Sequence, residues 1–264
     1  MKKEGVSLFI TTYNWAEALE LCLMSILRQT LTPNEIIIAD DGSKEDTKRL
    51  IDTYTPKFSV PLIHVWQEDK GFRAAAIRNK AVAQSQFSYL IFIDGDVILD
   101  KDFISHHLQF VEKNCFLQGS RVLLGKTLSK QALHHKKINF SIFTWGVSNR
   151  KNMLKIPWLS KTLSIKNTNL TGIRTCSFSL FKEDFIKVNG FNEAFQGWGR
   201  EDSEFAVRLF NSGLYRKNIK FSATQYHLYH PEHDRTNLTK NDSLLKLAIE
   251  RKITYCENGF DKYK

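Results

Sequence analysis

Apolar strands alternating with helix-forming stretches fill the first hundred residues, and no other feature constrains the fold as much. Val6–Ile10, Glu35–Ala39, Pro61–Trp66 and Leu90–Ile93 read as strands. Helical patterns run from about 16 to 29, from about 45, and from the Ala-rich stretch that follows Gly71. Such alternation implies a parallel sheet with right-handed helical crossovers. Leu90–Ile93 is apolar throughout, the pattern of a strand buried on both faces. It stops at Asp94-Gly95-Asp96, where ligands of open α/β sheets gather. Two close carboxylates repel unless a positive charge lies between them, and an oxygen-seeking divalent cation supplies one. A turn after a strand, where Asp-Gly is common, is the plainer reading.

Neither GxGxxG nor GxxxxGK[ST] follows the first strand, so dinucleotide and P-loop chemistry are not indicated. Thr11-Thr12-Tyr13-Asn14 and Asp40-Asp41-Gly42-Ser43 end the first two strands instead. Ser43 is expected to cap the next helix, with Asp46 completing a capping box. Further on, 106–113 reads as a helix, and 116–124, 175–181 and 221–224 read as strands.

With 264 residues, 42% of them hydrophobic, the chain can bury a large core as one α/β domain or two closely joined lobes. The N-terminus runs straight into a strand, so no signal peptide is expected, and no apolar run approaches the roughly 20 residues of a membrane span. Cys22, Cys115, Cys176 and Cys256 lack CxxC spacing, which argues against a zinc site and for a reducing compartment. The net charge of +10 is uneven: from Lys113 to Lys182 there is no acid at all. Such a stretch suits an anionic partner, and with its Phe and Trp residues it suits contact with an anionic membrane. A basic loop closing over a site is the alternative. No nucleic-acid-binding motif accompanies the charge.

Trp198-Gly199-Arg200-Glu201-Asp202 opens a helix whose apolar side carries Phe205, Ala206 and Leu209. Acids at a helix N-terminus are favoured by the dipole, and one held there could act as a general base. His227 and His230, three residues apart, could ligate a transition metal together with Asp96.

In this order the motifs resemble the inverting, metal-dependent family 2 glycosyltransferases of the GT-A fold, in their bacterial chondroitin-polymerase and polysaccharide branch. The WGxED segment is shared with β-1,4-galactosyltransferases. The resemblance covers roughly 6–102 and 175–230. It implies a Rossmann-like, mostly parallel sheet flanked by helices, with a smaller acceptor-side subregion. The division it implies is a nucleotide-sugar half at 5–110, an acceptor half at 111–230 and a helical tail at 231–264. Thr11 and Tyr13 would line the nucleotide pocket, Asp41 would meet the uracil, and Arg78 would position the nucleotide. Asn14, Gly95 and Trp198 belong to the same nucleotide-sugar motifs. Asp94 would contact ribose or donor sugar. Asp96, with His227 or His230, would hold Mn²⁺ or Mg²⁺. Asp202 would be the base, and Glu201 would hold acceptor or donor sugar. The implied partners are a UDP-sugar and a glycan or glycolipid acceptor, with the protein in the cytoplasm or at the inner face of the membrane. A nucleotide-sugar-binding or nucleotidyltransferase-type protein is the competing reading.

Overall fold

The computed structural model describes residues 3–231 and 237–264. In chain order its elements are β1 (Lys3–Thr12), α1 (Ala16–Leu27), β2 (Glu35–Asp40), α2 (Glu45–Tyr54), β3 (Leu62–Trp66), α3 (Ala74–Gln84) and β4 (Phe87–Asp94). There follow β5 (Val97–Leu99), α4 (Phe103–Gln109), β6 (Cys115–Gln118), β7 (Ser120–Leu124), α5 (Lys126–His134), β8 (Val147–Ser148), α6 (Pro157–Leu163) and β9 (Lys166–Asn167). The last are β10 (Ser177–Phe181), α7 (Lys182–Lys187), α8 (Glu201–Asn211), β11 (Tyr215–Asn218), β12 (Thr224–His227) and α9 (Leu238–Glu250).

Eight strands form one sheet in the order 3-2-1-4-10-6-11-9, and a second sheet has the order 5-12-7-8. β1, β2, β3 and β4 are mutually parallel, as the crossovers require. β10 enters antiparallel between β4 and β6, so the sheet is mixed. All six residues of β2 are buried, which explains its unbroken apolar run. Apolar layers cover both faces of the large sheet. On one of them Phe92 stacks on Phe9 at 4.8 Å between centroids and meets Phe191 edge-on at 5.7 Å. Each such side chain contributes about 1.5–3 kcal/mol on burial. A third cluster, which includes Val122 and Tyr226, lies under the small sheet.

Four local expectations need correction. The strand expected over 116–124 is two strands, β6 in the large sheet and β7 in the small one. The chain crosses between sheets at Gly119, where a Cβ would collide with Ser177 and Ala223. The strand expected at 221–224 starts at Thr224, because Phe221 and Ala223 have φ of 55° and 47°. Ser43 caps nothing: the N-cap is Lys44, without a side-chain bond, and Ser43 Oγ accepts the Asn14 N–H at 2.8 Å. The helix expected over 106–113 lies at Phe103–Gln109, anchored by buried Phe103 and Ile104. All four cysteines are free and buried. Among the described residues no helix is long and apolar enough to cross a membrane.

Candidate active site

Strand register decides what meets at the carboxyl end of the sheet. Thr11 pairs with Asp94 and Thr12 with Asp40, so the ends of β1, β2 and β4 are level. β10 runs the other way, with Ser177 opposite Ile93, which places Thr175 at that same end. In the small sheet His227 lies opposite Val97, and Leu228 N–H donates to the Asp96 carbonyl at 3.0 Å. A cavity of about 1630 Å³ opens over these ends. Single-ligand pockets run to about 1000 Å³. Thr11, Tyr13, Asp41, Arg78, Asp94, Gly95, Asp96, Trp198, Glu201, Asp202, His227 and His230 all line it. Asn14 does not. At φ 46° it ties the first turn to the second, accepting the Lys44 N–H on Oδ1 at 2.9 Å.

Arg78 is the centre of the charge arrangement. It projects from α3, only 5% exposed. Its Nε donates to Thr11 Oγ1 at 3.1 Å, and its two outer nitrogens stand 3.4 Å from Asp94 and Asp202 and 4.0 Å from Glu201. Burial opposes its charge, but the fields of Asp202, Asp94 and Glu201 outweigh that and raise its pKa. Burial pushes Asp94 up to about 7, helped by Asp96 and Asp202 and resisted by Arg78. Glu201 also reaches about 7, through burial first and then the adjacent Asp202.

The Glu201–Asp202 pair sits where α8 starts, after a turn that only special backbone can make. Gly197, Gly199 and Arg200 have φ of 72°, 108° and 78°. Asp202 is held by Thr175, whose N–H and Oγ1 donate to its two oxygens at 2.9 and 2.7 Å. Glu201 Oε2 accepts the Gly199 N–H at 3.1 Å. From behind, α9 braces the turn: buried Asn241 donates from Nδ2 to the carbonyls of Gly199 at 2.9 Å and Gln196 at 3.3 Å. Leu238 packs against Gly199. Farther along α8, Glu204 and Arg208 form a buried ion pair at 2.8 Å.

Asp41 is almost fully buried, and both its oxygens are engaged, by Gln67 Nε2 at 2.5 Å and the Arg73 N–H at 2.7 Å. Burial raises its pKa against those bonds. Tyr13 is half exposed and donates to Asp69 at 2.8 Å.

Asp96, His227 and His230 bring ligand atoms within 4.8 Å of one another. Both imidazoles, where the sequence left a choice between them, turn Nε2 toward Asp96 Oδ2, at 3.5 and 3.3 Å. Their Nδ1 atoms donate to the carbonyls of Leu228 and Pro231 at 2.8 and 2.7 Å. That fixes the tautomer with a lone pair on Nε2, as a metal ligand needs. Asp96 Oδ1 is buried without a hydrogen-bond partner. The residues present therefore fit a cation.

The profile described as "Glycosyl transferase family 2" matches residues 7–188. The chain belongs to glycosyl transferase family 2. Its enzyme class, as expected from the motifs, is that of a glycosyltransferase. A second profile, described as "N-terminal domain of galactosyltransferase", matches 162–234 and so includes the Trp198–Asp202 segment. Chondroitin synthase of Escherichia coli is 24% identical over 96% of this chain and 39% of its own length. Chondroitin synthase of Pasteurella multocida is 26% identical over 96% and 28%. This chain thus spans well under half of those two proteins. Validoxylamine A glucosyltransferase of Streptomyces hygroscopicus is 26% identical over 91% and 54%. Among solved structures, S. aureus TarS 1–349 superposes with a TM-score of 0.65, 14% identity, and coverage of 98% of this chain and 68% of that one. The same protein in complex with UDP gives 0.64, with 14% identity and coverage of 94% and 68%. The fold is GT-A, a mixed sheet flanked by helices.

The sequence passed over Thr175, Arg121, Arg174 and Asn241. No motif marks them. Their places depend on β10 reversing direction, on the sheet change at Gly119 and on α9 returning to the turn.

Proposed function

We propose that this chain transfers a sugar from a UDP-sugar to a hydroxyl of a glycan acceptor, inverting the anomeric carbon. One observation carries the reading: the base candidate Asp202 and the Asp96–His227–His230 cluster line the same cavity, with Arg78 bonded to Asp202 and to Asp94 beside the cluster. A pure binding site has no need of an oriented carboxylate next to a metal site. Asp202, its oxygens aligned by Thr175, takes the proton of the attacking hydroxyl. Arg78, 3.4 Å away, helps to hold Asp202 in place. Tyr13 offers a ring to the base at the cavity mouth, and Asp41 gives the pocket a carboxylate edge. A divalent cation held by Asp96, His227 and His230 would offset, as a Lewis acid, charge developing on the departing diphosphate. Two imidazoles in the donor set favour Mn²⁺ over Mg²⁺.

The named relatives support a polysaccharide or similar glycan as acceptor. The UDP complex of the similar TarS fold supports the nucleotide. Contact with an anionic membrane rests on the surface between β7 and β10, where Phe143 and Trp145 are 85% and 90% exposed near Arg150 and Lys151.

The test is a donor screen, with UDP-, GDP- and CDP-sugars, scoring nucleoside diphosphate release with and without Mn²⁺. Metal-dependent release from one UDP-sugar is the expected result. No release together with no binding of UDP plus Mn²⁺ would overturn the reading.

A further inference from the structure

Arg121 and Arg174 also line the cavity, and the arrangement above gives them no role. Arg121 and Leu123 are the half-buried positions of β7, whose other residues are buried. Its Nε is buried and has no hydrogen-bond partner. Arg174 is open to solvent and directly precedes Thr175, the residue that holds Asp202. Gln225 and Cys176 link the two. Gln225 is the register partner of Arg121, and its Nε2 donates at 3.2 Å to Cys176, two residues beyond Arg174.

Among the described residues, neither guanidinium forms an ion pair. The acids whose fields reach them, Asp94 and Asp202, are already bonded to Arg78. Two like charges facing one cavity are costly unless an anion joins them. A guanidinium fork matches a carboxylate or phosphate with two parallel hydrogen bonds. The donor diphosphate belongs with Asp96, His227 and His230. Arg174 belongs with Asp202, so a group within its reach is carried by the molecule that presents its hydroxyl to Asp202.

We propose that Arg121 and Arg174 form a subsite for an anionic group, carboxylate or phosphate, on the acceptor. This rests on the functional reading above and narrows it to acidic acceptors.

The experiment starts from wild-type protein, with UDP and Mn²⁺ titrated first. Glucuronate, glucose 6-phosphate and glucose are then added to the saturated complex, and binding is read by saturation-transfer NMR. At least one acidic sugar is expected to bind about tenfold more tightly than glucose, and the two arms tell carboxylate from phosphate. Arg174→Ala and Arg121→Gln should each remove most of that preference while UDP affinity stays within twofold. Three sugars binding alike, or none binding, would overturn the proposal. So would variants that weaken UDP instead, since that would assign the arginines to the donor diphosphate. Arg174 lies outside a strand and is open to solvent, so Arg174→Ala decides the matter even if Arg121→Gln does not fold. Failure of wild type to bind UDP would count against the functional reading itself, whatever the sugars do.

Discussion

Thr175 aligns Asp202 with two donors, an amide at 2.9 Å and a hydroxyl at 2.7 Å, one to each carboxylate oxygen. The proposed base therefore has its oxygens fixed before substrate arrives. Asp202→Asn should lower kcat by about 10²–10⁴, the usual range for a general base, with UDP affinity unchanged. Thr175→Val keeps the amide and loses the hydroxyl, a hydrogen bond to a charged group, which corresponds to roughly 10- to 100-fold in rate. Steady-state kinetics with UDP titrations check both, and wild-type turnover in Asp202→Asn would remove it from the mechanism.

The metal cluster makes a separate prediction. His227→Ala and His230→Ala should each weaken Mn²⁺ binding by more than the roughly 10- to 100-fold typical of losing an outer partner. Electron paramagnetic resonance of free Mn²⁺ reads this without any substrate. Chelation of the wild type should abolish UDP release, and added Mn²⁺ should restore it.

Glu201 carries a pH signature in stability. Its pKa lies near 7 in the fold, raised by burial and by Asp202 against the pull of Arg78, with Asp94 adding to the rise. An unfolded glutamate titrates near 4.3. Between those values the folded state holds more protons, so the contribution of Glu201 to stability falls as pH rises through that window. Glu201→Gln should thus raise the melting temperature at pH 8 and leave it nearly unchanged below pH 4. Equal shifts at both pH values would contradict the raised pKa.

Asn241 ties α9 to the turn that carries the proposed base. Asn241→Leu keeps the branched shape of the side chain but leaves the carbonyls of Gly199 and Gln196 without that donor, at about 1–3 kcal/mol for a buried unmet group. A fall in kcat with unchanged Mn²⁺ affinity is expected, because the candidate metal ligands lie in the turn between β4 and β5, on β12 and in the segment after it. Parallel losses in both would mean general destabilisation.

For the membrane contact, co-sedimentation with phosphatidylserine-containing vesicles should be lost in high salt, since surface charge attraction is screened over about 8–10 Å. Binding that persists unchanged would point to another partner for Phe143 and Trp145.

Much of this was legible in the chain because it is local. Strand ends declare themselves where an apolar run meets acids, as at Ile93–Asp94 and Ala39–Asp40, and the Trp198–Asp202 turn shows in its glycines. His227 and His230 were readable as a pair, but the pairing of β12 with β5 that brings them to Asp96 was not. Thr175, Arg121 and Arg174 come from the stretch without acids, where side-chain type carries little information. Their positions follow from long-range register, which a single sequence does not print. Asp40, Asp41 and Ser43 mislead in a small way: they resemble a helix start, yet Ser43 serves Asn14 and Asp40 accepts the Ser43 N–H at 2.8 Å.

The place of β4 between β1 and β10 has a consequence for how the chain comes into being. β1 is available as soon as β4 is made, but Tyr89 and Ser179, joined by their hydroxyls across β4 and β10, are 90 positions apart. Until those later residues emerge from the ribosome, β4, buried and apolar from Leu90 to Ile93, carries one unpaired edge. Open edges of this kind recruit other chains. A fragment cut before Thr175 should therefore clump instead of surviving as a smaller folded unit, and the nascent chain has its most vulnerable interval while the basic middle segment is being translated.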